Sequence, residues 1–138
     1  MAFVLDNSVV CGWFIANQTT DYSEAVAVRL LDEQAYTPAL WQLEFANVLR
    51  TACKRGALDA QEAHEVIDQV GTLPILVDRD TPGPAAILSL ALRYDLTSYD
   101  AAYLELALRL QLPVATQDAA LMEAARASGV GVLKPTVR

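Results

Sequence analysis

The sequence has little of what most metal and nucleophile chemistry requires. Histidine occurs once, at His64, and cysteine twice, at Cys11 and Cys53, which are far apart and form no Cys-x-x-Cys pair. Neither a zinc site of ordinary spacing nor a Ser-His-Asp triad can be drawn from that stock. Six glycines occur without a GxGxxG or GxxxxGK pattern, so the nucleotide-binding fingerprints are absent. No run of ~18 apolar residues exists to span a membrane. The opening apolar stretch is cut by Asp6 and lacks a basic leader, so it does not read as a signal peptide. Both cysteines fall among apolar neighbours, where a thiol behaves as a small hydrophobe and fits a reducing cytoplasm. His64 lies in a polar stretch and reads as a surface residue. Basic residues are also in deficit: ten against seventeen acids, a net charge of −7. A surface that grips nucleic acid unaided is normally basic, so passive binding is disfavoured. A cation held by carboxylates, however, reverses the local sign and can receive a phosphate.

What is present suits a single α/β domain over residues 1–138, with a hydrophobic fraction of 54% that fills a core and leaves apolar surface for a subunit interface. Ala2–Leu5, Ala35–Thr37, Pro74–Val77, Pro113–Ala115 and Val130–Leu133 read as short strands. Helices are expected at about 22–33, with Ala25, Val28 and Leu31 inward, and at 39–55, with a stripe of Trp41, Phe45, Val48, Leu49 and Ala52. Another follows the capping box Asp59-Ala60-Gln61-Glu62, and three more cover 84–94, 97–110 and 118–127. Asp80 or Thr81 is expected to cap the helix at 84–94. Short apolar strands alternating with helices predict a three-layer α/β/α domain with a short, mostly parallel sheet. Its strand C-terminal ends then share one edge, where the chemistry should lie.

Asp6 follows the first strand directly and Asp118 follows the fourth, so both belong at that edge, although each also reads as a helix cap. Glu44 is placed beside Trp41 and Val48, at the margin of the apolar stripe. Glutamate is rarely buried unless paired or bound to something. Asp100 shares a helix face with Tyr103, Leu104, Ala107 and Leu108; the plainer reading is a cap interaction with Thr97. Glu105, on the same helix, suits an exposed pair with Arg109 four residues on. Glu24, Asp32, Glu33, Glu62, Glu65 and Asp68 read as solvated, and the basic Arg50, Lys54 and Arg55 complement the dipole of their helix end.

Four acids at inward or edge positions crowd together in this architecture. Two carboxylates ~4 Å apart repel by about 4 kcal/mol at an effective dielectric near ~20. Several such pairs would cancel much of a typical ~5–15 kcal/mol stability. Either the acids stand further apart, some are protonated, or a cation neutralises them. An all-oxygen donor set favours Mg²⁺ or Mn²⁺ over Zn²⁺.

Four ordered blocks resemble the PIN-domain family, in particular the VapC toxins of bacterial toxin–antitoxin pairs. They are Phe3-Val4-Leu5-Asp6-Asn7-Ser8-Val9, Pro38 to Leu49 around Glu44, Leu96 to Leu104 around Asp100, and Val114 to Leu121 around Asp118. The resemblance implies a metal-dependent endoribonuclease, usually a homodimer silenced by a cognate antitoxin protein. Asp6, Asp100 and Asp118 would hold Mg²⁺ or Mn²⁺, with Glu44 completing the cage. Ser8 and Thr116 would orient those carboxylates or simply cap helices. Ala119 and Ala120 stand where some relatives carry further acids, which leaves one firmly held metal and a second that depends on substrate. Two other readings compete with this one. A phosphohydrolase with an aspartyl nucleophile wants an acid where Ser8 stands, and a PIN-like binding module without catalysis would ordinarily have lost one of the four acids.

Overall fold

The architecture is that of a computed structural model, which describes residues 1–135, the side chain of Ala16 excepted. Four strands, β1 (Ala2–Leu5), β2 (Gln34–Pro38), β3 (Ile75–Asp78) and β4 (Val114–Ala115), form one sheet in the order β3-β2-β1-β4. Every pairing is parallel: Val4 is opposite Tyr36 on one side and Val114 on the other, and Ala35 is opposite Ile75. Seven α-helices connect and cover the strands as α1 (Asn7–Phe14), α2 (Asp21–Arg29), α3 (Trp41–Lys54), α4 (Ala60–Gly71), α5 (Pro84–Tyr94), α6 (Ser98–Leu110) and α7 (Ala119–Ser128). The expected three-layer α/β/α arrangement is the one found.

Parallel pairing explains the apolar run of β1, because a strand covered on both faces has no solvent side. Phe3, Val4 and Leu5 are fully buried, as are Tyr103, Leu104 and Leu106 of α6, the helix that packs across β1, β2 and β4. The chain builds the sheet outward from β1 to β2 to β3, then returns through α5 and α6 to place β4 on the other side of β1. The strand order therefore reverses between β1 and β4. Such a switch point leaves a crevice at the strand C-terminal ends.

Several local expectations are corrected. Helix α1 was not anticipated. It is short and largely enclosed, with Val9, Val10, Cys11 and Gly12 buried, so its apolar run carries no visible 3.6-residue period. Helix α2 buries Ser23, Val26 and Leu30, whereas Val28 and Leu31 are 61% and 80% exposed. The phase is set by α1. A Cβ on Gly12 would stand 2.6 Å from Ser23 Oγ, so glycine lets the two helices meet at that point. Trp13 Nε1 then donates to the Ser23 carbonyl at 2.6 Å.

The last expected strand, Val130–Leu133, is a single parallel bridge between Val114 and Val132. Neither Asp80 nor Thr81 caps α5: Gly83 occupies that position and Pro84 opens the helix. Glu33 lies beyond the end of α2 rather than on a solvated face, half-buried and paired with Arg29. Arg109 pairs with Glu105 as expected, but it also reaches Asp78 at the end of β3 and the Asp80 carbonyl. Asp59 and Glu62 form the expected capping box of α4, and His64 is exposed.

Candidate active site

The four acids come from four different places around the switch point. Asp6 ends β1, and its backbone amide donates to the Ala115 carbonyl at 3.0 Å, which pins it against the end of β4. Asp118 stands at the N-cap of α7, three residues beyond β4. Glu44 lies in the first turn of α3 and Asp100 in the first turn of α6. Asp6 is 6% exposed, and the other three are half-buried.

Asp6 is held tightly through one oxygen. Its Oδ2 accepts from Ser8 Oγ at 2.8 Å and from Thr116 Oγ1 at 2.7 Å. Each hydroxyl is in turn fixed by the segment after β4: the Gln117 amide donates to Ser8 Oγ and the Asp118 amide to Thr116 Oγ1, both at 3.0 Å. Ser8 and Thr116 therefore orient Asp6 in this structure, and neither hydroxyl caps a helix. Asp118 does cap its helix, since its Oδ2 accepts from the Leu121 amide at 2.9 Å. For that one oxygen the plainer expectation holds. Thr97 likewise caps α6, by accepting from the Asp100 amide, a bond that does not involve the Asp100 carboxylate.

The electrostatics follow from this crowding. Burial raises the Asp6 carboxyl above its ordinary value, against the Thr116 and Ser8 hydroxyls that favour its charged form, and Asp118 raises it further. Burial also raises Glu44, opposed by the Tyr103 phenol and reinforced by Asp6. Asp100 is pushed up to about 6, by burial first and then by the charges of Asp118, Asp6 and Glu44. Three carboxyls from separate elements thus resist ionisation, partly because of one another. Perturbed carboxyls in a polar cluster mark functional sites more often than ordinary surfaces do.

The donor set is all-oxygen and anionic, and in chemistry it fits a hard divalent cation. Among the described residues, no three His, Cys, Asp or Glu side chains are gathered closely enough to ligate one ion as they stand. The cavities are elsewhere: none of the three described is lined by any of the four acids. One of about 260 Å³ lies on the flank of α6 bearing Ala102, Glu105 and Arg109, turned away from Asp100. A metal-assisted reaction on a polymer needs no enclosed pocket.

Two participants were missed by the sequence reading. Tyr103, fully buried, donates its phenol hydrogen to Glu44 Oε1 at 2.6 Å. Gln117 donates from Nε2 to the Ser8 carbonyl at 3.2 Å and accepts from Thr20 Oγ1 at 2.7 Å, tying the segment after β4 to the loop before α2. A signal for the first was available, because a buried tyrosine needs a partner for its hydroxyl. Gln117 offered none, being one polar residue in a polar turn.

Known proteins resemble this arrangement. A family model described as "PIN domain" matches residues 3–127. Seven chains of solved structures match as well. Among them is the crystal structure of PAE2754 from Pyrobaculum aerophilum, 20% identical over 90% of this chain and 79% of that one, with a TM-score of 0.65. At that identity the likeness is one of fold. No curated protein matches.

Proposed function

The chain belongs to the PIN-domain family, a family of nucleases that typically use divalent metal ions, and from that premise we propose that it is a Mg²⁺- or Mn²⁺-dependent endoribonuclease. The observation that carries the reading is the convergence of Asp6, Glu44, Asp100 and Asp118, from four elements, into one mutually repelling cluster at the switch point. These four carboxylates would hold the cation, within the PIN domain matched over residues 3–127. When bound, the ion stabilises charge developing on the phosphate oxygens and lowers the pKa of an attacking water.

The chain's own residues prepare the site. Ser8 and Thr116 both donate to Asp6 Oδ2, so Oδ1 is the oxygen that would serve the cation. The Leu121 amide does the same for Asp118, occupying Oδ2 and leaving Oδ1. A carboxylate with one oxygen tied to the protein offers the other with little freedom left to lose on binding. The raised Asp100 carboxyl must lose its proton to take the cation, so metal binding should strengthen as pH rises through about 6.

Within this reading the protein is the toxin of a VapBC-type pair: a cytoplasmic homodimer, silenced by a cognate antitoxin. The four ordered blocks support it. So does α5, which buries no residue of its own and leaves Leu88 and Leu92 as an apolar face for a second copy. The test is cleavage of a broad RNA panel with Mg²⁺ or Mn²⁺, with EDTA, and by Asp100→Asn. Metal-dependent cutting lost in the variant is expected. Cutting that survives the substitution would sink the site assignment, and an inert parent would favour a binding module. Growth arrest on expression, relieved by a small neighbouring open reading frame, tests the toxin role.

A further inference from the structure

Tyr103 has an unusual position for a hydrogen-bonding residue. It is the largest fully buried side chain among the described residues, one turn along α6 from Asp100. Its hydroxyl reaches across to α3 and donates to Glu44 Oε1 at 2.6 Å. The phenol thus ties α6 to the glutamate of α3. A phenol carries one hydrogen, and here it is given to the carboxylate.

We propose that Tyr103 is a positioning residue for Glu44: by occupying Oε1 it fixes the carboxylate in one orientation and leaves Oε2 to serve the cation. The assignment rests on the metal reading above. A glutamate has three side-chain torsions and would otherwise sample water, especially beside Asp6 and Asp100, whose charges repel it. A donor on a packed ring removes that freedom and opposes the repulsion. Two of the other acids are oriented from their own neighbourhoods, Asp6 by hydroxyls and Asp118 by a backbone amide. Among the hydrogen bonds of the described residues, the phenol is the side-chain partner that Glu44 has.

The experiment is a calorimetric titration of Mn²⁺, without RNA, into the parent, Y103F, E44A and Y103F/E44A, with apo melting temperatures taken alongside. Phenylalanine keeps the ring and its packing, so Y103F should fold. Y103F is expected to weaken Mn²⁺ binding on the order of tenfold, in the range seen when a ligand's supporting partner is removed. Y103F/E44A should bind no more weakly than E44A, because Tyr103 acts through Glu44. Binding by Y103F equal to that of the parent would overturn the assignment. So would losses that multiply in the double variant, since those would report a structural role independent of Glu44. A parent that does not bind Mn²⁺ would overturn the metal reading itself, and is recognised before any variant is compared.

Discussion

Replacing Asp100 by asparagine should make the metal-free protein more stable while abolishing its activity. Asp100 is pushed from 3.8 to about 6 in the folded chain. A carboxyl whose pKa is higher folded than unfolded binds its proton more tightly in the folded state. That contribution is complete below 3.8 and is lost as pH rises through about 6. At pH 8 the ionised group therefore works against folding, and asparagine, which cannot ionise, removes the penalty. The full difference between 3.8 and about 6 corresponds to about 3 kcal/mol. Asp100 is half-buried, and water screens part of the field from Asp118, Asp6 and Glu44, so about 1–2 kcal/mol should be realised.

Urea melts of dilute, metal-free parent and Asp100→Asn proteins across pH 4 to 8 measure this directly. The two should be nearly equal at about pH 4, diverge through about pH 6, and differ by a constant amount above about pH 7. Saturating Mn²⁺ should reverse the order, because the cation rewards the charge that repulsion penalised. An apo variant no more stable than its parent at pH 8 would refute the reasoning. A gain that does not change with pH would refute it equally, since the effect would not come from ionisation.

Mn²⁺ at ~100 times its dissociation constant should stabilise the parent by about 2.7 kcal/mol, read as a shift in urea midpoint, and Asp6→Asn should lose most of that shift. Thr116→Val, at a 1% exposed position, removes a hydroxyl from the Asp6 carboxylate and an acceptor from the Asp118 amide. It should cost about 1.5–3 kcal/mol in the apo protein and weaken Mn²⁺ binding; an unchanged urea midpoint would contradict the geometry. Gly12→Ala drives a Cβ to 2.6 Å from Ser23 Oγ, and should destabilise by about 1–3 kcal/mol in thermal melts. Cys11, buried and raised to about 11, should react with a thiol reagent far more slowly than half-buried Cys53, as mass spectrometry of partly labelled protein would reveal.

Much of the fold was legible because it follows local rules. Short apolar strands between helices required a parallel sheet, and Asp59-Ala60-Gln61-Glu62 marked a helix start with no help from the rest of the chain. The failures share a cause. Residues 25–31 contain two apolar registers, Ala25/Val28/Leu31 and Val26/Leu30, and periodicity cannot choose between them. The choice fell to the contact of Gly12 with Ser23, which places Val26 inward. Helix α1 escaped notice because its enclosed run Val9-Val10-Cys11-Gly12 shows no 3.6-residue period; its N-cap, Asp6, turns its carboxylate to Ser8 and Thr116. Arg109 was paired with its helical neighbour Glu105, but its reach to Asp78 spans 31 positions that no helical rule connects.

The candidate site divides in the same way. The sequence by itself singled out the candidate acids, because strand ends and helix faces are properties of short segments. It placed Asp6 and Asp118 at the sheet edge and turned Glu44 and Asp100 inward. Only the tertiary structure decided how each carboxylate is held. Thr116 meets Asp6 across 110 positions, and Tyr103 meets Glu44 across 59. Those contacts exist because the strand order reverses between β1 and β4 and α6 packs across the reversal. Hydrogen bonds act over ~3 Å, a range that residues so far apart in the chain enter only through packing.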